Sequence, residues 1–324
     1  MMNSRRRWFA GVWLATALIG MALTILPGGT AWAQAPAAGA AQQADPPGSV
    51  RVRDVVYGRK LGVALTMDVF KPAKPNGIGV IWMVSGGWVS RHEGMNWGLA
   101  RPFTERGMTV FEVVHGSQPK FTLPEVVEDI HRAVRYIRTH AAEYGVDPER
   151  LGIGGASAGG HLSLMMAGYG GPGDPKAADP VDRASSAVQA VAAFYPPTDF
   201  LNYGKEGQRA LSYPPLRPFW HVFALPATAT DAEKDAVARR LSPVYGLAAG
   251  GTPTPPPTLL IHGDADALVP LQQSETVMAA LRARGVPHEL VVKKGAAHGW
   301  PGIEADRALL ADWFAKHLAK PPKP

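Results

Sequence analysis

The chain of 324 residues contains no cysteine. It therefore cannot form a disulfide, bind a metal through thiolates or use a cysteine nucleophile. Charged residues are also few, at 19% of the chain, and the formal net charge is only +6. A charge this small gives no indication of a nucleic-acid partner. The hydrophobic fraction of 46% is instead typical of a globular protein with a substantial core.

A long apolar run occurs near the N-terminus. Three arginines at positions 5–7 precede an apolar stretch over 8–26, and the segment ends in Ala-Trp-Ala at 31–33. This order is typical of a secretory signal peptide. We therefore predict that residues 1–33 are cleaved off after Ala33 and that the protein is exported, periplasmic or secreted, with no stable membrane association after cleavage. The alternative is a retained anchor, because a membrane span needs about 20 apolar residues. Without this segment the formal net charge falls to +3, since it holds three arginines and no acid.

Strand and helix patterns alternate after a low-complexity segment. Residues 34–49 are rich in Ala, Pro and Gln and predict a flexible linker. Helical periodicity or composition predicts helices over 123–144, 158–168, 271–284 and 303–318. Short apolar segments predict strands over 50–58, 63–72, 79–84, 108–114, 150–155, 187–195, 257–263 and 288–294. The pattern indicates an α/β fold with a mostly parallel central sheet flanked by helices.

Residues 200–247 interrupt this alternation. A long insertion late in an α/β sheet can form a cap over a pocket, but it can also pack its aromatic side chains on itself. Both interpretations remain open at this point. The aromatic residues of the insertion are Tyr203, Tyr213, Phe219, Trp220, Phe223 and Tyr245.

A glycine-rich stretch, LGIGGASAGGHLS, covers residues 151–163. It lacks the third glycine of a dinucleotide-binding G-x-G-x-x-G motif, and it lacks the lysine of a phosphate-binding loop. It does match G-x-S-x-G, with a predicted strand before it and a predicted helix after it, as a nucleophile elbow requires. We therefore predict that Ser157 is a nucleophile, that Gly155 and Gly159 leave it steric room, and that the Ala158 N–H is an oxyanion donor.

A serine nucleophile needs a base and an acid that orients the base. In this type of fold the chain order is serine, acid, histidine. Asp266 follows a predicted strand, and His298 lies in a loop of small residues after the next one. We predict His298 as the base and Asp266 as the acid, with Asp199 as the alternative acid. We expect Asp264 to hydrogen-bond within its own loop.

The second oxyanion donor is expected in the segment MVSGGWVS, residues 83–90. Its glycines allow the backbone to approach a substrate, so Gly87 or Trp88 is the predicted donor; the alternative is a glycine turn without function. His262 is expected to be structural and His161 a bystander. No histidines pair at metal-ligand spacing, so we predict neither a metal nor a cofactor.

These motifs together resemble one family. The segments SGGW, LPEVVEDIHRAVRYIRTHAAEYGVDPERLGIGGASAGGHL, YPPTDF, HGDADALVP and GAAHGW resemble the α/β-hydrolases, in the esterase/lipase branch that includes acetyl-xylan and feruloyl esterases. The resemblance covers about residues 50–320. It implies an α/β-hydrolase fold with a cap-like insertion, a Ser157, Asp266, His298 triad and a small-molecule or carbohydrate-linked ester as substrate. Such esterases commonly have a histidine where this chain has Ser85, so the contacts of that histidine are expected to be missing.

Two other functions remain as alternatives. One is an exopeptidase that resembles the prolyl oligopeptidase catalytic domain, although that group usually carries a large N-terminal domain that the 16 linker residues cannot supply. The other is a non-catalytic binding protein on a hydrolase scaffold. The presence of nucleophile, acid, base and oxyanion glycines favours a serine carboxylic-ester hydrolase over both.

Overall fold

The computed structural model describes residues 45–249 and 254–320. The predicted signal peptide and most of the predicted linker lie outside these ranges. The strands are β1 (Val50–Lys60), β2 (Val63–Lys71), β3 (Gly77–Met83), β4 (Thr109–Val113), β5 (Val146–Ala156), β6 (Ala190–Phe194), β7 (Thr258–Gly263) and β8 (His288–Lys293). The α-helices are α1 (Trp97–Thr104), α2 (Leu123–Thr139), α3 (Ala158–Tyr169), α4 (Asp231–Arg240), α5 (Pro243–Ala248), α6 (Gln272–Ala283) and α7 (Ile303–His317).

The strands form one sheet in the order β1-β2-β4-β3-β5-β6-β7-β8. The pairs β1·β2 and β2·β4 are antiparallel, and all other neighbours are parallel. Every residue of β4, β6 and β7 is buried, as expected for strands covered on both faces. The predicted α/β class with a mostly parallel sheet is confirmed.

Two layers of helices cover the sheet. Buried residues of α2, α3 and α6 belong to one apolar cluster, and those of α1 and α7 belong to another. The amphipathic helix α2 illustrates the cause: its apolar residues recur at helical spacing, and a capping box between Thr122 and Glu125 fixes its first turn. None of the described helices is long and apolar enough to cross a membrane.

Helix α1 has no counterpart among the helices predicted from sequence. This helix has only eight residues, and it contains Pro102, a residue type that disfavours the helix interior. Packing overrides that signal, because Trp97, Ala100 and Phe103 are buried on one side of the helix. Asn96 caps the N-terminus by accepting the N–H of Leu99.

The insertion over residues 200–247 forms short 3₁₀ helices followed by α4 and α5. Its aromatic rings contact one another, as Tyr203 and Tyr213 do at 5.1 Å between ring centroids. They also contact the ring of Trp88, with Phe219 and Phe223 at 6.1 and 6.2 Å. The segment therefore lies against the loop after β3, and its rings do not pack only on themselves.

The parallel strands place the candidate site. The carboxyl ends of β3, β5, β7 and β8 meet at the same edge of the sheet, where ligands bind in open α/β folds. Ser157 follows β5, Asp266 follows β7 and His298 follows β8. The topology thus brings together side chains that are far apart in sequence.

Candidate active site

Ser157 occupies a strained turn between β5 and α3. Its backbone has φ 54° and ψ −119°, a conformation that non-glycine residues rarely adopt. Such strain costs about 1–3 kcal/mol and persists only where the surrounding structure fixes it. Here the Ser157 N–H donates to Phe194 O at 3.0 Å, and the His161 N–H donates to Ser157 O at 2.9 Å. The turn therefore holds the hydroxyl at the carboxyl edge of the sheet.

The glycines beside Ser157 are required by close backbone approach. A Cβ at Gly155 would lie 2.5 Å from the carbonyl carbon of Gly159. A Cβ at Gly159 would lie 2.6 Å from the carbonyl oxygen of Met83. Real Cβ atoms do not come this close to backbone, so both positions exclude a side chain.

The structure brings Ser157, His298 and Asp266 into one hydrogen-bonded path. Ser157 Oγ lies 2.8 Å from His298 Nε2. On the other side of the ring, His298 Nδ1 lies 2.7 Å from Asp266 Oδ2. With Nδ1 donating to the carboxylate, Nε2 is left as an acceptor for the serine hydroxyl. This arrangement can remove a proton from Ser157.

Asp266 is buried but well supplied with donors. Its Oδ1 accepts the N–H groups of Leu268 and Val269 at 2.9 and 2.8 Å. Burial acts to raise the pKa of Asp266, but the hydrogen bonds from His262, His298 and the Val269 N–H, with the charge of His298, hold it well below its ordinary value. The carboxylate therefore stays ionised at neutral pH.

The alternative acid, Asp199, lies elsewhere. It caps the start of the insertion by accepting the Leu201 N–H at 2.9 Å and the Tyr245 hydroxyl at 3.0 Å. Asp264 accepts the N–H of Gly295 at 2.6 Å, in the loop that carries the predicted base. The expectation that Asp264 bonds within its own loop was therefore wrong, because parallel strands β7 and β8 place their following loops side by side.

The segment after β3 forms a tight turn, which we call the oxyanion loop (residues 85–90). Gly86 and Val89 exchange backbone hydrogen bonds at 3.0 Å, and both Gly87 and Trp88 have positive φ, at 54° and 59°. Within residues 45–249 and 254–320, no group accepts a hydrogen bond from the Trp88 N–H. Ala158 is the first residue of α3, so its N–H also has no intrahelical acceptor.

His161 is more than the predicted bystander. It does not belong to the hydrogen-bonded path of Ser157, but its Nδ1 accepts the Trp88 indole N–H at 3.3 Å. Its Nε2 donates to Leu241 O at 2.8 Å. Burial lowers the pKa of His161 to about 4, so the ring is neutral and links the oxyanion loop to α3 and the insertion. His262 is buried and structural, as expected.

Ser85 has a partner that the sequence analysis missed. Its hydroxyl lies 2.8 Å from Nε2 of His115, the second residue after β4. His115 Nδ1 donates to Gly116 O at 2.7 Å, and burial lowers the pKa of His115 to about 4. Nε2 is therefore an acceptor and Ser85 the donor. A different histidine thus contacts the loop here, from the neighbouring strand end and through the Ser85 hydroxyl.

Aromatic residues beside the predicted base were also missed. The Tyr195 ring lies 4.5 Å from the His298 ring between centroids, and Trp300 lies 5.7 Å from Tyr195. Burial raises the pKa of Tyr195 to about 12, so it is a neutral phenol that limits how the imidazole can turn. Its position directly after β6, at the carboxyl edge, was a usable signal.

The described residues contain no cluster of three or more histidine or acidic side chains that could hold a metal ion. The chemistry that these residues can perform is instead proton transfer and nucleophilic attack by serine. Donors for a developing oxyanion are available on the adjacent backbone.

One family model and several curated proteins match the chain. The BD-FAE family model matches residues 67–281, a range that includes Ser157 and Asp266 and ends before His298. The chain is 31% identical over 235 residues to the probable carboxylic ester hydrolase LipM of Mycobacterium tuberculosis. The aligned region covers 71% of this chain and 51% of LipM. The chain spans about half the length of the curated relatives it matches.

Solved structures show the same fold. Esterase Est2 of Thermogutta terrifontis, with butyrate bound, superposes with a TM-score of 0.63 at 26% identity and covers 86% of this chain and 97% of that one. Another structure of the same esterase is phosphorylated by paraoxon. A truncated carbohydrate esterase from gut microbiota has a TM-score of 0.67 at 23% identity, with 84% and 97% covered, and shows the fold alone.

Proposed function

Because the chain belongs to the BD-FAE family, in the esterase branch of the α/β-hydrolases, we propose that it is an exported serine hydrolase that cleaves carboxylic esters. The observation that carries this proposal is the continuous path from Ser157 Oγ through His298 to Asp266, with both distances below 3 Å. A non-catalytic protein has no need of a strained serine held against a base.

The proposed reaction proceeds through an acyl-enzyme. His298 Nε2 takes the hydroxyl proton as Ser157 Oγ attacks the carbonyl carbon of the ester. Asp266 holds the imidazole by Nδ1 and stabilises its positive charge. The alcohol then leaves with the proton from His298, and water attacks the acyl-enzyme by the same route to release the acid and regenerate Ser157.

The negative charge on the carbonyl oxygen needs fixed donors. The N–H of Ala158 and that of Gly87 or Trp88 are the proposed pair, because each belongs to a loop at the same sheet edge as Ser157. One such donor contributes about 2.7–4 kcal/mol to the transition state in serine hydrolases. No cofactor enters this reaction scheme.

Acylated carbohydrates are the substrate class that we propose first. The motifs of the chain resemble those of acetyl-xylan and feruloyl esterases, and the related Est2 binds butyrate. A short acyl group is consistent with the insertion, because the Phe219 ring lies directly against Gly87 and leaves no space for a Cβ there. A panel of acetylated xylan, feruloyl esters and p-nitrophenyl esters of increasing acyl length, ranked by kcat/KM, tests this assignment.

The catalytic proposal is tested by Ser157→Ala on p-nitrophenyl acetate. We expect kcat to fall by at least about 10³-fold, since Ser157 Oγ is the atom that forms the acyl-enzyme in the proposed reaction. Ser185→Ala is the matched control, because the Ser185 hydroxyl donates to Gly171 O at 3.1 Å, outside the site. Equal turnover by the Ser157 variant would contradict the nucleophile. Cleavage of aminoacyl-anilides in preference to esters would favour the exopeptidase alternative.

Export rests on the sequence of residues 1–33 alone. Expression of the full chain in a bacterial host, followed by fractionation and intact-mass measurement, tests this part of the proposal. Cleavage after Ala33 and recovery outside the membrane fraction are expected. An uncleaved chain in the membrane fraction would instead indicate a retained anchor.

A further inference from the structure

The oxyanion loop is held by a second loop, which we call the support loop (His115–Gln118). The two loops leave β3 and β4, which are parallel neighbours. The parallel pairing continues up to the start of the loops, because the Val84 N–H donates to Val113 O at 3.0 Å. The support loop therefore lies beside the oxyanion loop from the point where both leave the sheet.

Hydrogen bonds join the two loops along their length. Ser85 donates to His115, and the Ser90 N–H donates to Ser117 Oγ at 2.8 Å. Gln118 makes contacts with the centre of the turn: its backbone N–H donates to Trp88 O at 3.3 Å, and its side-chain Nε2 donates to Gly87 O. Gln118 is itself buried, so water does not compete well for these groups.

The contact between Gln118 and Gly87 O determines where a neighbouring N–H points. Gly87 C=O and Trp88 N–H belong to the same peptide group. A trans peptide is planar, so its C=O and N–H point in opposite directions. When Gln118 Nε2 holds the Gly87 oxygen on one side of the turn, the Trp88 N–H is directed to the other side. There it has no acceptor within the described part of the chain.

The backbone conformation of this turn needs contacts from outside the turn to hold it. Trp88 has φ 59°, which is unfavourable for a bulky residue. A rotation of the Gly87–Trp88 peptide would relieve this strain and would also turn the Trp88 N–H away. The hydrogen bond from Gln118 opposes that rotation.

We propose that Gln118 is a positioning residue that aims the Trp88 N–H at the substrate oxyanion, with the Ser85–His115 hydrogen bond as a second anchor of the same loop. This inference rests on the proposed function, and it selects Trp88 over Gly87 as the second oxyanion donor. Both hydrogen bonds that Gln118 donates go to backbone carbonyls of the oxyanion loop, so it acts through that backbone.

The second anchor is insensitive to pH in the working range. The low pKa of His115, about 4, keeps its Nε2 unprotonated at neutral pH. Two charged groups act on this part of the support loop: the charge of Lys60 lowers the pKa of His115, and Asp129 accepts the Gly116 N–H at 2.9 Å. Ser85 therefore keeps one orientation, as donor to His115.

The test is Gln118→Met, which keeps the side-chain length and removes the donor. We expect kcat for p-nitrophenyl acetate to fall about 10- to 100-fold with KM changed less than about threefold, since a misaimed donor weakens only the transition state. Binding of a trifluoromethyl ketone, which forms an oxyanion on Ser157, should weaken by a similar factor. An unchanged kcat, or a loss confined to KM, would overturn the proposal.

The control is Gln189→Met. Gln189 Oε1 accepts the Leu151 N–H at 3.1 Å, so this variant also loses a side-chain bond to backbone. Leu151 precedes Ser157 on β5 by six residues, about 20 Å along the strand. We expect a similar decrease in thermal stability in both variants and a loss of kcat in Gln118→Met alone.

A further variant keeps the proposal testable if Gln118→Met does not fold. Ser85→Ala removes the second anchor with a minimal change in volume, and we expect kcat to fall about fivefold at unchanged KM. If kcat stays at the wild-type value in this variant, the positioning role is refuted. If the wild-type protein and the Gln189 variant both lack ester turnover, the proposed function fails, and this inference fails with it.

Discussion

Replacement of Asp266 by asparagine is a demanding test of the site, because it changes one atom and leaves the shape intact. Asp266 Oδ1 accepts two backbone N–H groups, from Leu268 and Val269. An asparagine must keep its oxygen at that position to avoid placing an NH₂ group against two N–H donors. Its nitrogen then occupies the Oδ2 position, 2.7 Å from His298 Nδ1.

The consequence is a change of tautomer in His298. An NH₂ group donates, so Nδ1 must become the acceptor and the proton must move to Nε2. Nε2 then faces Ser157 Oγ with a proton and cannot act as a base. The same change in the Ser-His-Asp template costs about 10⁴ in kcat, or about 5.4 kcal/mol at 1.36 kcal/mol per tenfold.

The assay is kcat and KM for p-nitrophenyl acetate at neutral pH, together with thermal unfolding. Asp264→Asn is the matched control, because it makes the same chemical change two residues away, where the carboxylate accepts the Gly295 N–H in the neighbouring loop. We expect a loss of about 10⁴ in Asp266→Asn and less than about threefold in the control. A folded Asp266→Asn protein that retains a tenth of wild-type kcat would refute the tautomer argument.

Two further predictions concern stability. Gly159→Ala should lower the free energy of unfolding by about 2–4 kcal/mol, because its Cβ would collide with Met83 O. Gly171→Ala is the control and should change the free energy of unfolding little, because the space at its Cβ position is open. Equal denaturant midpoints for the two variants would contradict this prediction. The free energy of unfolding should also decrease as pH falls from about 6.5 to about 4, since burial lowers the pKa of three histidines to about 4 and the unfolded chain then binds more protons than the folded one. Urea titrations at pH 7 and 4.5 measure this, and a flat profile would show that these histidines do not stay neutral in the folded protein. They are His115 and His161, which are buried, and His131, which is partly exposed.

Local sequence signals were sufficient to predict that Ser157, Asp266 and His298 lie together. Short apolar segments located β5, β7 and β8, and the rule that parallel strands end at one edge placed Ser157, Asp266 and His298 together. The glycines around the serine were informative because a position where a Cβ would collide with backbone must be glycine, and this is visible in the sequence. Each of these inferences depends on a residue and its immediate neighbours in sequence.

The contacts that the sequence did not reveal depend on spatial neighbours. Ser85 and His115 are 30 residues apart, and their contact follows only once β3 is known to lie beside β4. No sequence pattern identifies Gln118 as a positioning residue, because its proposed role depends on a hydrogen bond to the backbone carbonyl of Gly87. The fold of the insertion was also not predicted from sequence, since aromatic rings of its 3₁₀ helices pack on Trp88, which is distant in the chain.

The position of β5 in the sheet divides the site into two halves with separate supports. On one side, β7 and β8 carry Asp266 and His298, and their loops are joined by hydrogen bonds of Asp264 and Asp266. On the other side, β3 carries the oxyanion loop, and β4 carries the support loop that contains Gln118. In the proposed reaction, the His298–Asp266 pair therefore depends on β7 and β8, whereas the oxyanion loop depends on β3 and β4; the Ala158 N–H follows β5, next to Ser157. Because the supports are separate, a change in the support loop can weaken oxyanion stabilisation while the His298–Asp266 pair keeps its hydrogen bond.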